Sequence, residues 1–352
     1  MSADPTTPVS DPTLAVGSAV PWPAVSVVIP VLNEERHLRE SVQRILEQDY
    51  PGPVEVVLAL GPSKDRTDEV AAALAAQDPR ITCVRNPSGR TPDALNAAIA
   101  ASRYEIVVRV DGHAMIPPDY VSTAVEVLRR TGADNVGGIM DAQGTTPFEQ
   151  AVAAAMRSRL GVGNSSFHTG GQEGPAETVY LGVFRRSALE RVGGYDPHFA
   201  RAQDWELNHR IRETGGLVWF TPHLTVRYRP RAKVATLARQ YFNYGRWRRV
   251  VAGRHSTISA RYLAPPTLVA GLALAVLVAP FWSWTLLAPA GYLLGITVGG
   301  IVIGSGQPWR GRLLVPVALG VMHLCWGVGF LTSPSRLRRG GQGVVTLPKV
   351  AR

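Results

Sequence analysis

The chain has 352 residues, room for one large domain with an appendage or for two ordinary domains, and its 37 Lys and Arg outnumber 27 Asp and Glu for a net charge of +10. Nearly all of the positive charge is arginine, and Arg227, Arg229, Arg231, Lys233, Arg239, Arg246, Arg248, Arg249, Arg254 and Arg261 crowd the segment before a long apolar stretch, which favours a membrane surface over nucleic acid. Two distant cysteines, Cys83 and Cys325, exclude a disulfide framework and a zinc spacing and suit a reducing compartment.

Residues 1–22 are rich in Pro, Thr, Ser and Asp and lack the basic start and apolar core of a secretory signal, so they read as a flexible tail. From Val25 short β-branched runs alternate with helical patterns. Strands are predicted over residues 25–30, 54–60, 81–85 and 106–110, and helices over 33–48, 67–76 and 92–101. This is the α/β pattern of a mostly parallel, Rossmann-like sheet whose ligand crevice runs along the C-terminal strand edges. The segment 118–231 is punctuated by glycine-rich turns, and 163–176 is expected to be a mobile loop over a substrate site. Residues 23–232 thus form a catalytic domain and 233–262 a basic interfacial segment.

Residues 263–332 hold two to three apolar segments, and a spanning helix needs roughly 20 apolar residues. The stretch 263–303 is long enough for two helices that turn near Phe281, Trp282 and Trp284, and 313–331 supplies a third. With a cytoplasmic catalytic domain, three crossings would put Arg336, Arg338 and Arg339 of the basic tail 333–352 outside. Either the last segment is re-entrant or the positive-inside tendency is broken.

Asp111-Gly112-His113 follows the fourth strand, at the crevice edge. In an extended chain alternate residues share a face, so Asp111 and His113 are candidate ligands for Mn²⁺ or Mg²⁺, which would neutralise a departing diphosphate. Asp204, at the start of a helical stretch, is the candidate base that removes a proton from an acceptor hydroxyl; Glu206 competes for that role from another helix face. One base opposite the leaving group predicts direct displacement with inversion. The turns at 30–35 and 61–67 also fall at the crevice edge and offer polar groups for a nucleobase and ribose, although Asp65 or Thr67 equally suits a helix cap.

The runs Val-Arg-Val-Asp-Gly-His, Gln-Asp-Trp-Glu-Leu-Asn and Tyr-Phe-Asn-Tyr-Gly-Arg-Trp-Arg resemble the succinoglycan-biosynthesis branch of the family-two glycosyltransferases, over about residues 25–249. That resemblance implies a GT-A fold, with Pro30, Asn33 and Glu34 in the nucleotide pocket, Asp65 near the uracil or ribose, and Gly89 with Asn96 behind the diphosphate. It puts Asp111 and His113 in the place of the Asp-x-Asp metal motif and Asp204 in that of the base. Gln240, Arg246 and Trp247 are similar to the Gln-x-x-Arg-Trp element that touches diphosphate and acceptor. Four departures stand out: Leu60 and Gly61 replace an acidic pair, His113 replaces the second Asp, Gln203 stands where Glu usually precedes the base, and the Gln240 to Arg246 spacing is long.

The expected protein is a metal-dependent, inverting hexosyltransferase anchored in the cell membrane with its catalytic domain cytoplasmic. It takes a nucleotide-diphosphate sugar, in the first instance a UDP-hexose, and a lipid-linked saccharide or polyprenyl phosphate acceptor. Arg246, Arg248 and Arg249 are expected to hold the acceptor's phosphate or anionic lipid. The rival readings are a processive polysaccharide synthase, a silent scaffold that keeps the fold, and a nucleotidyltransferase that releases pyrophosphate.

Overall fold

Four apolar runs make the parallel half of one sheet, and because helices cover both faces these strands carry little polar alternation. In chain order β1 (Val25–Val31), α1 (Leu38–Leu46), β2 (Val54–Leu60), α2 (Thr67–Gln77), β3 (Ile81–Arg85), α3 (Thr91–Ala101) and β4 (Ile106–Arg109) follow the predicted alternation. The structure, a computed structural model, describes residues 21–256, 260–335, 337 and 347. The expected tail up to residue 20 and most of the basic tail, including Arg336, Arg338 and Arg339, lie outside the described residues. Trp22, assigned to the tail, packs its ring edge-on against Tyr50 at 5.4 Å.

Next come α4 (Tyr120–Thr131), β5 (Asn135–Ala142), α5 (Pro147–Met156), α6 (Arg159–Val162), α7 (Ser166–Thr169), β6 (Gly174–Pro175), β7 (Tyr180–Arg185), α8 (Arg186–Val192), α9 (Gln203–Glu213) and β8 (Val218–Tyr228). The eight strands order as β3-β2-β1-β4-β7-β5-β8-β6. β1 pairs in parallel with both β2 and β4, so the winding reverses between β1 and β4. At such a switch point the connections leave in opposite directions and open a crevice at the strand C-termini. β7 runs antiparallel to β4 and continues the sheet.

Two expectations change here. The first helix starts at Leu38 rather than residue 33, because Asn33 adopts a left-handed φ of 57° and the following amides are used elsewhere. Glu34 N donates to Thr67 Oγ1 (2.8 Å) and Glu35 N to Asp65 Oδ2 (3.3 Å), zipping the first turn to the second instead of starting a helix. The segment 163–176 is not an open loop over the crevice. It holds α7 and β6, and Glu173 fastens it by accepting from Arg130, Trp219 Nε1 (2.9 Å) and Thr221 Oγ1 (3.2 Å) at the far edge of the sheet.

The C-terminal part is α10 (Val234–His255), α11 (Ala260–Val278), α12 (Leu287–Ile303) and α13 (Trp309–Leu331). Three segments are long and apolar enough to cross a membrane, Arg261–Val278, Ser283–Gly306 and Trp309–Leu331. Phe281, Trp282 and Trp284 at the turn between α11 and α12 are 85%, 71% and 78% exposed, a surface suited to lipid. α13 is different. At about 1.5 Å per residue its 23 residues span roughly 35 Å, and it meets the catalytic unit near its start and its middle and α10 just past its end. Gly311 sits against Pro147 and Gln150, His323 Nε2 lies 2.7 Å from Leu160 O, and Ser333 Oγ donates to Arg246 O at 3.0 Å. Gly245 and Gly329 let α10 and α13 approach so closely that a Cβ at either would overlap the other helix's backbone.

Candidate active site

The crevice at the β1/β4 switch point encloses about 600 Å³. Pro30 and Glu34 line it from the end of β1, Gly89 from the turn after β3, and Asp111 and His113 from the end of β4. Gly89 needs its left-handed φ of 66° there, and an added Cβ would press on Pro62 at 3.1 Å. The opposite wall brings Ala200, Arg201, Gln203 and Arg231.

Asp204 stands at the start of α9, aimed by Ala202, a non-glycine residue in the left-handed region at φ 61°. Between Asp204 and Asp111 lies Arg109. Its Nη1 pairs with Asp204, and its Nη2 and Nε donate to Asp111 Oδ1 at 3.1 and 3.3 Å. The Arg109 side chain is only 6% exposed, whereas Asp111 is 23% and Asp204 38% exposed, so one buried cation holds Asp111, which lines the crevice, and Asp204, which does not line it but follows the lining residue Gln203. Burial raises the Asp204 pKa above the usual carboxylate value; Arg109 opposes this and Asp111 adds to it. Arg109 itself stays protonated, because the two carboxylates outweigh the cost of burying it.

Sequence reasoning missed Arg109. Its signal is an arginine inside an apolar strand, two residues before Asp111 and hence on the same face of an extended chain. Arg90, Arg201 and Arg231 were likewise not singled out for the crevice, and they make its lining positive enough for a diphosphate.

Other candidates do not line the crevice. Asn33 accepts from Lys64 N (2.8 Å), and Asp65 accepts from Thr67 N (3.1 Å), Thr67 Oγ1 and Glu35 N, so both shape the two turns and neither lines the crevice. Asn96 clasps Tyr195, accepting from its N at 2.8 Å and donating to its O at 2.7 Å, behind the crevice wall. Gln240 donates to Tyr228 and Tyr244, Arg246 stacks over Phe242 at 5.5 Å, and Trp247 packs on His198 and Phe199. None of these three lines the crevice, because α10 is drawn away onto α13. Trp247 instead braces the segment leading into α9. Glu206 is 1% exposed and Arg210 donates to both of its oxygens (2.7 Å each), with His255 Nε2 3.2 Å away, and these partners hold its pKa down against burial; it is less accessible to an acceptor than Asp204, which is 38% exposed and pairs with Arg109 through Oδ1.

His113 does not share a face with Asp111, since the chain turns there and Ala114 N bonds Asp111 O at 2.8 Å. Its Nδ1 lies 2.8 Å from Glu34 Oε1, and that bond, against the opposing effect of burial, raises its pKa. No group of three His, Cys, Asp or Glu able to hold an ion occurs among the described residues. Asp111 nevertheless fits an ion bound chiefly through substrate: Arg109 occupies only Oδ1, and a hard divalent ion takes one or two protein carboxylates and fills its shell with phosphate oxygens and water.

Comparison with known proteins agrees with this geometry. The family model described as glycosyl transferase family 2 matches residues 26–193. The succinoglycan biosynthesis protein ExoA of Rhizobium meliloti (strain 1021) is 35% identical over 307 residues, covering 86% of this chain and 93% of that protein. A dolichyl N-acetyl-alpha-D-glucosaminyl phosphate 3-beta-D-2,3-diacetamido-2,3-dideoxy-beta-D-glucuronosyltransferase of Methanococcus voltae is 24% identical over 230 residues, 63% of this chain and 71% of that protein. Among solved structures, the mannosyltransferase PcManGT from Pyrobaculum calidifontis, in complex with GDP-Man and Mn²⁺, superposes with a TM-score of 0.57 at 21% identity over 89% of this chain and 91% of that one, a likeness of fold. The mixed sheet with its β1/β4 crevice is therefore a GT-A sheet, and the chain belongs to glycosyl transferase family 2.

Proposed function

We propose that the protein is an inverting, metal-dependent hexosyltransferase that moves a sugar from a nucleoside diphosphate to a membrane-presented acceptor. The observation that supports it best is the pairing of Arg109 with both Asp204 and Asp111, which sets a candidate base and a crevice-lining carboxylate on one buried guanidinium. In this reading Asp204 accepts the proton of the acceptor hydroxyl as its oxygen forms a bond to the anomeric carbon and the bond to the diphosphate breaks on the opposite face. Arg109 fixes the carboxylate and opposes the rise that burial gives its pKa, and Arg201 and Arg231 attract the diphosphate. Asp111 would hold a divalent ion, which supplies Lewis-acid neutralisation of the leaving diphosphate. PcManGT binds Mn²⁺ and GDP-Man, which supports a divalent ion and a nucleotide sugar here.

Leu60 and Gly61 give no carboxylate for uracil, and Gly61 is packed against Leu32, so recognition rests on the crevice walls. A UDP-hexose stays the first donor to test. For location, the reading is a cell-membrane protein with its catalytic unit on the cytoplasmic side. The contacts of α13 near its start and middle and just past its end support the re-entrant alternative for the last segment: Leu337 O lies 2.7 Å from His198 Nε2. That arrangement lets the basic tail begin beside the catalytic unit.

The test is release of nucleoside diphosphate and transfer by protein in native lipid extract, across UDP-, GDP- and dTDP-sugars, with Mn²⁺ or chelator. Chelator-sensitive release of one nucleoside diphosphate, lost in Asp204→Asn while that variant still binds donor, is the expected result. Pyrophosphate as product would mark a nucleotidyltransferase, and silence across the panel a scaffold.

A further inference from the structure

Tyr195 has no part in the chemistry described so far, yet it is the buried neighbour of Arg109. It is 1% exposed, and the guanidinium carbon of Arg109 lies 5.8 Å from its ring centroid, within cation–π range. Its hydroxyl is sealed from solvent and makes no hydrogen bond, which is costly for a buried polar atom unless a partner is at hand. Arg109 offers one. Nη1 spends one N–H on Asp204 and Nη2 one on Asp111, and each nitrogen has a second to give. Burial raises the Tyr195 pKa, and the charge and side-chain contact of Arg109 oppose the rise, so the hydroxyl faces the guanidinium although their geometry falls short of a hydrogen bond.

The backbone that presents Tyr195 is held from two helices. Asn96 of α3 accepts from its N at 2.8 Å and donates to its O at 2.7 Å. Gly194 precedes it at φ 77°, and an added Cβ there would stand 2.6 Å from Asn96 Oδ1, so the clasp needs a glycine at this turn. Arg210 of α9 donates to Val192 O and, at 2.8 Å, to Gly194 O, while both oxygens of Glu206 hold the same guanidinium at 2.7 Å. α9 is also the helix that opens with Gln203 and Asp204. The contacts therefore close a circuit: Asp204 to Arg109, Arg109 to Tyr195, Tyr195 through Gly194 to Arg210, and Arg210 along α9 back to Asp204. Water competes for the 38% exposed Asp204, so its ion pair alone leaves the guanidinium free to swing, whereas a third point of contact keeps Nη1 on the carboxylate.

We propose that Tyr195 is a positioning residue for the base: its phenol holds Arg109 so that Nη1 stays on Asp204, and Asn96 acts through Tyr195. This rests on the reading of Asp204 as the base. It gives Asn96 and the buried Glu206–Arg210 pair a task in the reaction without contact to donor. Tyr195 does not line the donor crevice, so its replacement leaves donor affinity in place.

The test reads the ion pair without turnover. In the full chain in detergent at neutral pH, labelling of Asp204 by a water-soluble carbodiimide is timed by peptide mass spectrometry, since a carboxylate held by a buried guanidinium reacts slowly. Tyr195→Phe keeps the ring and removes the hydroxyl; it is expected to speed labelling at least about twofold, the low end of coupling between residues in contact, and to add nothing in an Arg109→Met background. Asn96→Ala is expected to act in the same direction and stands in if Tyr195→Phe fails to fold, as judged by thermal unfolding. Unchanged labelling in the folded variant, or an equal gain in the Arg109→Met background, would overturn the proposal. Where the unmodified protein turns over, kcat should fall in Tyr195→Phe with donor affinity unchanged, and a parallel loss of donor affinity would also overturn it. Nucleoside diphosphate release by the unmodified protein is scored separately; its absence would sink the transferase reading, while the hold of Tyr195 on Arg109 is still judged on labelling.

Discussion

Replacing Arg109 by Met removes the cation between Asp204 and Asp111 while keeping a side chain of similar length in β4. Two unit charges about 4 Å apart interact by about 4 kcal/mol at an effective dielectric of about 20, and by about 1 kcal/mol in water. Asp204 is 38% exposed, so the loss falls between those limits. A tenfold change in an equilibrium corresponds to about 1.4 kcal/mol, so the ionisation of Asp204 becomes less favourable by between about 5-fold and about 1,000-fold, with solvent screening of the exposed carboxylate pulling toward the lower figure. The direction follows from the chemistry: the base must be ionised to take the proton, burial already raises its pKa, and Arg109 opposes that rise. Removing Arg109 therefore moves the acid limb of the kcat profile to higher pH, with rate recovered as pH rises. The assay is kcat against pH for both proteins at saturating donor, with thermal unfolding as a control for fold. A limb that stays in place while the rate falls equally at every pH would refute the role and leave Arg109 structural.

Asp111→Ala is expected to weaken donor binding at least about tenfold in Mn²⁺ and to abolish the difference between Mn²⁺ and chelator in isothermal titration; equal affinities with and without metal in the unmodified protein would remove Asp111 from the ion. Glu149 is 1% exposed and accepts from Thr145, Thr146 and Arg229; against burial, these hydrogen bonds bring its pKa down to about 2. A depressed carboxylate contributes stability that is complete above its unfolded pKa and is lost as pH falls toward about 2, so Glu149→Gln should cost about 1 to 3 kcal/mol at neutral pH and flatten the acid loss, measured by unfolding in detergent. Ser305→Cys and Thr332→Cys, in a background without Cys83 and Cys325, flank α13 and should both label from the side of the catalytic unit in oriented vesicles; labelling from opposite sides would make α13 a third crossing.

The alternation of the first half was legible because period and composition act locally. β2 and β3 fall where the β-branched runs predict, and Asp111 falls at a strand end because the strand before it is a continuous apolar run. The motifs also marked Pro30, Glu34, Gly89 and His113 as neighbours of one crevice. Three apolar segments were countable for the same local reason.

What only the tertiary structure decided is which side chains meet. Asn33 and Asp65 sit in turns that sequence places at the crevice, yet Asn33 accepts from Lys64 of the other turn and Asp65 divides its oxygens between Glu35 of the other turn and Thr67 of its own, a choice fixed by β1 and β2 lying side by side. Gln240, Arg246 and Trp247 match a motif, but the close glycine contacts of α10 with α13 carry them off the donor crevice. Arg109 and Asp204 are 95 residues apart, and no local pattern joins them. Hydrophobic periodicity is set by each residue's own neighbours in the chain, whereas an ion pair across a crevice exists only once the sheet has closed and excluded the water that would otherwise solvate both charges.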